Sequence, residues 1–300
     1  MMAEGSFPAV EEFDRRLFSP DDCDFSEFSA LLRSAGAALY RDLPWRDTRD
    51  PYAVWISEVM LQQTQVSRVL GRWERFIGRF PTVDALASAA PSDVVDEWQG
   101  MGYNRRALAL LKAAQMCSVD YGGSMPRSAV DLQRLPGVGK ATAAGIMAFA
   151  YDEPSVYVET NVRAVFIHHF FPSHEEVSDK LIEPLVAASC PREDVRGWYY
   201  AMLDYGSYLK KKFGNPTRKA KAYSRQSAFE GSRRQKRAWV VREVLAHDAG
   251  IALDALHARL NAAECAAGRL VVADGEFRGI VDDLAREGFL SVDDGVCRML

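Results

Sequence analysis

Two closely spaced glycines precede a predicted helix near the middle of the chain. Residues 135–142 read LPGVGKAT, in which Gly137 and Gly139 allow a tight turn and a close approach to another surface. Backbone amides at the start of the following helix, next to Lys140, point outward with partial positive charge, which suits a phosphate group. The segment lacks the preceding β-branched strand and the third glycine of a dinucleotide-binding fingerprint. A glycine-rich turn between two helices of any α-helical protein is the alternative interpretation.

The composition excludes several classes of protein. The chain has 300 residues, enough for one large or two ordinary domains, and 48% of them are apolar, which is ample for a buried core. No apolar run is long enough to span a membrane, and the acidic start, broken by Pro8 and Pro20, does not resemble a signal peptide. The five cysteines are scattered and form no CxxC pair, so we expect neither a disulfide framework nor a zinc site. A reducing cytoplasm fits this pattern.

Positive charge is concentrated in one segment although the net charge is −4. Residues 210–237 contain eleven lysines or arginines and one acidic residue, Glu230. Such a run is either a solvated linker or a surface that contacts phosphates, and Lys211, Lys212, Arg218 and Lys219 are the candidate contacts.

The apolar residues from 24 to about 209 recur at helical spacing. No segment there alternates with a period of two, which predicts an all-α fold. The predicted helices cover 52–78, 82–90, 92–99, 105–120, 128–133, 141–150, 160–171, 179–188 and 195–209. Residues 1–24 are expected to form a loosely ordered N-terminal tail.

The pattern changes after residue 209. Residues 210–232 are polar and basic without an apolar period, which predicts a linker. In 233–300, three predicted helices (236–246, 253–261 and 277–287) precede a strand, a tight turn and a second strand within 289–296. Three helices followed by a hairpin are typical of a winged helix, so we predict a winged-helix-like module there.

Seven motifs occur in a fixed order between residues 43 and 209. They are LPWR (43–46), PYAVWISEVMLQQTQV (51–66), RFPTVDALA (79–87), EWQGMGYNRRALAL (97–110), LPGVGKATAAGI (135–146), ETNVRAVF (159–166) and AMLDYGS (201–207). In this order and spacing they resemble the A/G-specific adenine DNA glycosylase (MutY) family of the helix-hairpin-helix DNA glycosylase superfamily. The resemblance implies a two-lobed, all-α glycosylase domain over 25–209 with its hairpin at 135–142. It also implies a monomer that binds double-stranded DNA containing a mismatch or lesion.

The resemblance assigns catalytic roles to two carboxylates and one amide. Glu58 matches the family's general acid, which protonates the departing base, and an apolar pocket would have to raise its pKa. Glu159 stands where the family usually has an aspartate that stabilises the cationic sugar or attacks it. Asn161 matches an asparagine that supports the site, and helix N-capping is its other possible role. Taken alone, Glu58 would be a surface residue of an amphipathic helix.

The residue after Lys140 distinguishes two reaction types. Related glycosylase-lyases carry a lysine there that forms a Schiff base with the sugar, whereas this chain has Ala141. The resemblance therefore implies hydrolysis by water without strand cleavage.

Base extrusion requires residues that fill the vacated space in the duplex. By resemblance, Gln63 is the wedge glutamine, and Met101 and Tyr103 are the intercalating residues. The alternative is that Met101 and Tyr103 only pack a helical turn.

Two departures from the family concern a cofactor and a domain. Most members bind a [4Fe–4S] cluster through four cysteines, and those positions are Lys210, Thr217, Ala220 and Gln226 here. We therefore expect no iron–sulfur cluster, no other metal site and no cofactor except a monovalent cation at the hairpin carbonyls. Residues 233–300 are too short and too helical for the family's nudix-like domain, which inspects the opposite base.

Three functions remain open from the sequence. The first is a monofunctional DNA glycosylase of base excision repair that removes adenine mispaired with guanine or 8-oxoguanine. The second is a glycosylase for thymine or uracil in G mismatches, or for another damaged or modified base, which Glu159 and Ala141 favour. The third is a non-catalytic DNA-binding protein.

The adjacent His168 and His169 lack a carboxylate at metal-ligand spacing, and we expect one to be buried and one partly exposed.

Overall fold

The computed structural model describes residues 8–223 and 228–300. Arg225 and Gln226, which belong to the basic segment and to the four cysteine positions, lie outside the described residues. The α-helices are α1 (Pro8–Arg15), α2 (Phe25–Ala38), α3 (Pro51–Leu61), α4 (Val66–Val69), α5 (Arg72–Arg79), α6 (Val83–Ala87), α7 (Pro91–Glu97), α8 (Arg105–Asp120), α9 (Ala129–Leu132), α10 (Lys140–Tyr151), α11 (Thr160–Phe170), α12 (Asp179–Ser189), α13 (Val195–Lys212), α14 (Arg233–Leu245), α15 (Leu253–Ala266) and α16 (Asp274–Arg286). Two 3₁₀ helices (Pro44–Arg46 and Pro216–Lys219) and the strands β1 (Ile251–Ala252), β2 (Leu290–Asp293) and β3 (Val296–Met299) complete the described structure.

The described chain divides into two compact units. The first contains residues 8–58, 126–134 and 138–223, and the second contains 59–125, 135–137 and 228–300. The predicted all-α fold with a small C-terminal winged-helix-like module is confirmed. Among the described helices, none has both the length and the apolarity needed to cross a bilayer.

The first unit is built around α13, which packs against α2, α10 and α11. Its centre is aromatic: the Phe28 ring meets Phe166 and Phe170 at centroid separations of 5.6 and 5.4 Å. His169 is fully buried beside these rings, and burial lowers the pKa of its imidazole to about 3. His169 is therefore neutral at pH 7, and its neighbour His168 is only half-buried, as expected for one buried and one partly exposed histidine.

The expectation of a loosely ordered N-terminal tail is wrong for residues 8–15. They form α1, whose Phe13 is completely buried and stacks on His169 at 4.2 Å and on Tyr205 at 4.7 Å. Asp14 accepts hydrogen bonds from the Tyr205 hydroxyl (2.8 Å) and from Lys212 Nζ (2.8 Å). Local patterning does not reveal this packing, because α1 is short and its partners His169 and Tyr205 lie more than 150 residues away.

The predicted basic linker is also wrong over its first part. Helix α13 continues to Lys212, and Pro216–Lys219 form a 3₁₀ helix. Thr217 and Ala220 are buried, and Ala220 pairs with Val177 in a short parallel bridge. The segment is ordered because its backbone amides and carbonyls have partners in the chain before α12, a contact that composition does not reveal.

The second unit centres on α8, which packs against α6 and α7. The long helical pattern predicted over 52–78 is broken into α3, α4 and α5. Gln63 and Gly71 adopt positive φ angles of 52° and 77°, which a continuous helix does not permit. The apolar spacing persists across these breaks, so periodicity alone predicted one helix.

Residues 233–300 place α14, β1, α15, α16, β2 and β3 in that order. The sheet has the strand order β1-β3-β2 and is antiparallel, with Ile251 and Val292 both facing Cys297. The predicted helices and hairpin are present, and the two-residue strand β1 was missed because it is too short to show an alternating pattern.

Replacing Phe13 by alanine should lower the free energy of unfolding by about 3–5 kcal/mol, the usual cost of removing a fully buried phenylalanine. Arg15→Ala, in the same helix but with an exposed side chain, is the matched control and should change it by less than about 0.5 kcal/mol. Urea unfolding of the full chain measures both values. Equal, negligible effects would show that α1 does not pack on the core.

Candidate active site

Glu58 lies in α3, a helix that is apolar on nearly every side. Its neighbours Val54, Trp55 and Val59 are buried, whereas Glu58 itself keeps some access to solvent. Burial raises the pKa of the Glu58 carboxyl to about 8, and the nearby charge of Glu159 acts in the same direction. The carboxyl is therefore mostly protonated at neutral pH, which makes it a proton donor.

Two residues from other elements define the position of this carboxyl. The Tyr157 hydroxyl hydrogen-bonds to Glu58, a contact that partly opposes the rise in the pKa. Gly145 in α10 lies so close that a Cβ there would stand 2.3 Å from Glu58 Oε2. Only glycine leaves room for the carboxyl, so Gly145 and Tyr157 belong to the site, although the sequence analysis did not select them.

Glu159 is the N-cap of α11. Its Oε1 accepts hydrogen bonds from the backbone amides of Asn161 (2.6 Å) and Val162 (3.1 Å). Burial raises the pKa of Glu159, while the charge of Lys210, these two amides and Arg163 act in the opposite direction. The cap and the cation favour the ionised carboxylate, the form that can stabilise a positive charge.

Asn161 is not the helix cap, so that alternative role is wrong; it occupies the first turn of α11 after Glu159. Its Oδ1 is buried and has no hydrogen-bond partner among the described residues. Gly206 allows this close packing, because a Cβ at Gly206 would stand 2.3 Å from the Asn161 carbonyl oxygen. A buried acceptor in this state is available to a bound molecule.

Two of the matched motifs, LPWR and AMLDYGS, meet in a buried ion pair. Arg46 donates to both carboxylate oxygens of Asp204, at 2.7 and 2.8 Å. The Arg46 guanidinium also lies 4.3 Å from the centre of the Tyr200 ring, which stacks on Phe149 in α10. These contacts join the segment before α3 to α13 and α10, the elements that surround Glu58.

The four cysteine positions of the family do not fit a cluster in this chain. Lys210 is half-buried near Glu159, Thr217 hydrogen-bonds to Asn215, and Ala220 pairs with Val177. None of these side chains supplies a thiolate, and Gln226 lies outside the described residues. Among the described residues no group of three or more His, Cys, Asp or Glu side chains could hold a metal ion.

The hairpin between α9 and α10 exposes its glycines. Gly137 has a φ of 79°, and Gly139 is the N-cap of α10, where it has no side chain to occupy the helix amides. Lys140 is exposed, but its Nζ lies 2.7 Å from Glu183 Oε1. Lys140 is therefore part of an ion pair rather than a free cation, and a phosphate would have to compete with Glu183 for it. Ala141 is exposed and carries no nucleophile.

The predicted wedge residues differ in exposure. Gln63 and Tyr103 both reach solvent and have positive φ angles, 52° and 51°, which are uncommon for residues other than glycine. Met101 is only 1% exposed, so its insertion into DNA, which stays a prediction, would require the side chain to leave its buried position. Its burial agrees with the alternative interpretation, in which Met101 packs a helical turn.

Arg106 fixes both loops that carry the wedge residues Gln63 and Tyr103, and the sequence analysis missed it. Its two Nη atoms donate to oxygen atoms of both loops and of the last turn of α3, at 2.7–3.2 Å. These are the carbonyls of Val59, Met60, Gln62, Met101 and Gly102 and the hydroxyl of Thr64. The guanidinium lies 5.2 Å from the Trp98 ring and 5.6 Å from the Tyr103 ring. One side chain thus supports two unusual backbone turns. The sequence contained one signal for Arg106, because the residue lies within the motif EWQGMGYNRRALAL that carries Met101 and Tyr103.

The basic segment does not form one continuous phosphate-contacting surface. Arg233, Lys236 and Arg237 pair with carboxylates of the C-terminal module. Lys212 pairs with Asp14, and Lys219 Nζ donates to the Pro172 carbonyl at 2.7 Å. Lys211 and Arg218 are exposed and form no ion pair with another described residue. They are the candidate phosphate contacts that keep their charge available.

Comparison with known proteins covers the part of the chain that contains this site. Residues 56–190 match the model of the HhH-GPD superfamily base excision DNA repair proteins. An adenine DNA glycosylase from Mus musculus is 42% identical over 158 residues, which are 50% of this chain and 30% of that protein. The adenine DNA glycosylase of Mycolicibacterium smegmatis is 37% identical over 166 residues, 54% of this chain and 56% of the relative. The match thus spans about half or less of these relatives' lengths.

Solved structures show the same fold. A thermostable thymine-DNA glycosylase superposes with a TM-score of 0.55 at 26% identity, covering 61% of this chain and 86% of the other. A non-covalent endonuclease III–DNA complex superposes with a TM-score of 0.53 at 20% identity, covering 62% of this chain and 87% of the other. Together with the ordered motifs, these matches confirm the resemblance of this part of the chain to the HhH-GPD superfamily of base excision DNA repair proteins and, within it, to the adenine DNA glycosylase (MutY) family.

Proposed function

We propose that this protein is a monofunctional DNA glycosylase of base excision repair that releases adenine mispaired with guanine or 8-oxoguanine. The observation that carries the proposal is the pair of unlike carboxyl groups in the first unit. Burial keeps Glu58 protonated, while the cap of α11 and Lys210 favour the ionised form of Glu159. Acid-assisted cleavage of a glycosidic bond requires one carboxyl that donates a proton and a second group that stabilises positive charge on the sugar.

The proposed reaction uses the Glu58 carboxyl as the acid and the Glu159 carboxylate as the group that stabilises the sugar. Glu58 donates its proton to a ring nitrogen of the extruded adenine, and the bond between the base and C1′ breaks with its electrons moving to the base. The Glu159 carboxylate stabilises the cationic sugar that remains. Water adds to C1′ and releases one proton, which restores the Glu58 carboxyl. Ala141 offers no amine for a Schiff base, so the strand is not cut.

The proposal includes the DNA partner and the setting. The buried Asn161 Oδ1, which accepts no hydrogen bond from a described residue, supports binding of a flipped nucleotide. The exposed hairpin amides at Gly137 and Gly139 support binding of a phosphate. We expect the protein to act as a cytoplasmic monomer that associates with the nucleoid. We also expect it to need no cofactor, apart from a monovalent cation at the hairpin.

A second candidate is a glycosylase for thymine or uracil opposite guanine. The superposition with a thymine-DNA glycosylase favours it, as do Glu159 in place of an aspartate and the small Ala141. The same pair of carboxyls would serve this reaction, so base choice is a matter of the pocket rather than of the mechanism.

A panel of duplexes tests base choice and reaction type together. Each duplex carries one A·G, A·8-oxoguanine, T·G or U·G pair, with A·T as the control, and the freed base is quantified by chromatography. We expect adenine from the first two, and strand breaks only after alkaline treatment. Breaks after mild workup would reveal lyase activity. Release of thymine or uracil without adenine would replace the adenine assignment by the second candidate.

Glu58→Gln should reduce the single-turnover rate by about 10²–10⁴-fold, the usual contribution of a general acid. Glu175→Gln, an exposed glutamate in the same unit, is the matched control and should leave the rate unchanged. Full activity of the Glu58 variant would exclude the proposed mechanism. No activity in either protein, with DNA binding intact, would support the non-catalytic alternative.

The raised pKa of Glu58 also determines how the rate depends on pH. The acid form predominates below pH 8 and is lost above it, so the single-turnover rate should fall about tenfold per unit well above pH 8. A rate that continues to rise from pH 8 to 9.5 would mean that another group donates the proton. Rapid-quench measurements on the A·G duplex provide the profile.

The raised pKa of Glu58 also predicts how the free energy of unfolding changes with pH. Between the ordinary glutamate pKa of 4.5 and the folded value of about 8, the unfolded chain loses a proton that the folded chain keeps. The free energy of unfolding therefore falls with rising pH in this window, by at most about 1.4 kcal/mol per unit. In Glu58→Gln that contribution disappears, so the variant should be more stable than the parent at pH 8.

Gly145→Ala should displace the Glu58 carboxyl, because the new methyl group would stand 2.3 Å from Oε2. We expect a loss of at least about tenfold in the single-turnover rate, since small misplacements of catalytic groups are costly. Gly78→Ala, in helix α5 with nothing within 4 Å of the added Cβ, is the control. Affinity for the duplex, measured by fluorescence anisotropy, should stay within about twofold of the parent for both variants, since neither change touches a proposed phosphate contact. Unchanged rates in both would show that Gly145 does not constrain Glu58.

A further inference from the structure

The acidic residues of the C-terminal module face basic side chains of the same unit. Asp283 in α16 accepts a hydrogen bond from Arg233 at 2.6 Å, and Glu276 lies 2.8 Å from Lys236 Nζ. Helix α16 carries four acidic residues and two arginines, a balance that opposes contact with phosphates. The module is thus poorly suited to read DNA with this helix, and its charges serve packing instead.

One carboxylate extends this packing beyond the module. Glu287, which caps α16, accepts a hydrogen bond from Arg237 Nη2 at 2.5 Å with one oxygen and from Arg105 with the other. Arg105 is the first residue of α8 and comes two residues after Tyr103 in the chain. The Glu287 side chain is only 15% exposed, so the bridge is partly shielded from solvent. It joins α14 and α16 to the start of α8.

A second contact reaches the wedge residue itself. Arg234 Nη1 donates to the Tyr103 hydroxyl at 3.2 Å, and its guanidinium carbon lies 5.5 Å from the centre of the Tyr103 ring. The same guanidinium lies 5.4 Å from the Phe229 ring. Tyr103 is therefore held by Arg106 on the side of its own loop and by Arg234 from the C-terminal module.

We propose that the C-terminal module holds Tyr103 in position for insertion into DNA. Arg234 is the residue of the module that positions the Tyr103 side chain. The inference rests on the proposed function, because it assumes that Tyr103 enters the duplex when a base is extruded. Without a partner, an exposed tyrosine would sample several rotamers and lose conformational entropy when it binds DNA. Because Arg234 already restricts the Tyr103 side chain, less entropy is lost on binding. The module then aids base extrusion without contacting the base.

The test separates extrusion from chemistry and from phosphate contact. The variants are Arg234→Gln, Arg234→Lys and, as the matched control, Arg233→Gln, whose arginine pairs with Asp283 inside the module. Extrusion is followed by the fluorescence of 2-aminopurine placed beside the target adenine, in full-length protein that also carries Glu58→Gln. Single-turnover rates of variants with Glu58 intact are compared on two duplexes, one with A·G and one with adenine opposite an abasic analogue.

Arg234→Gln should weaken extrusion and slow the A·G reaction by about fivefold to tenfold, the size expected for one hydrogen bond and one cation–π contact. On adenine opposite the abasic analogue, which is already unpaired, the loss should be under about twofold, because extrusion then costs less. Arg234→Lys should recover part of the effect, and Arg233→Gln should behave as the parent.

Three results would overturn the proposal. Equal losses on the two duplexes would show that Arg234 acts on chemistry or folding rather than on extrusion. An unchanged fluorescence signal with a salt slope lower by about one would identify Arg234 as a phosphate contact. Arg234→Gln identical to the parent in every measurement would show that the module does not act on the wedge. The fluorescence signal needs no base release, so it still tests this role of Arg234 if the panel frees no adenine.

Discussion

Keeping a carboxyl group protonated at neutral pH requires that its charged form be poorly solvated, and the surroundings of Glu58 meet this condition. Apolar neighbours on α3 remove water, and Gly145 lets the backbone of α10 close over the carboxyl. Tyr157 adds a hydrogen bond that orients the group without reversing the shift in its pKa. The unfavourable burial costs stability, which the large aromatic core of the same unit offsets. The close packing around Glu58 thus both keeps its carboxyl protonated and holds it in place.

The second carboxyl, Glu159, is also buried, which raises its pKa, but its neighbours are amides and positive charges that act in the opposite direction. Glu159 takes the two amides at the start of α11, and Lys210 brings a positive charge from the end of α13. Lys210 occupies the first of the four positions at which the resemblance implies a cysteine, and it places a positive charge next to the proposed site. The rest of that segment is held by the burial of Thr217 and Ala220 and by the pairing of Ala220 with Val177.

Arginine side chains organise both units through backbone carbonyls and carboxylates. Arg46 joins two distant motifs through Asp204, and Arg106 holds the loops that present Gln63 and Tyr103. The C-terminal module continues this pattern, since Glu287 pairs with Arg105 and Arg237. Such pairs fix geometry because a planar guanidinium satisfies several acceptors at once, which one ammonium group does not.

The sequence by itself determined the helical fold, the hairpin, both carboxyl groups and the absence of thiolates at the four ligand positions. These properties depend on residue type and on local spacing, which periodicity and motifs report directly. It did not determine the interruption of the pattern over 52–78, the burial of Met101 or the packing of α1. Helix breaks and side-chain direction depend on single backbone torsions, and α1 is held by partners far along the chain.

Only the tertiary structure decided the protonation of Glu58, the close approach of Gly145 to its carboxyl and the pairing of Lys140 with Glu183. It also decided the hydrogen bonds by which Arg106 holds the loops of Gln63 and Tyr103. Glu183 lies 43 positions from Lys140, Glu58 lies 87 from Gly145, and Val59 lies 47 from Arg106, while the protonation of Glu58 depends on how much water reaches its carboxyl. Local spacing reports neither kind of property. A sequence names the groups that can react. Which of them carry charge, and which lie close enough to act together, is set by the packing that brings distant segments into contact.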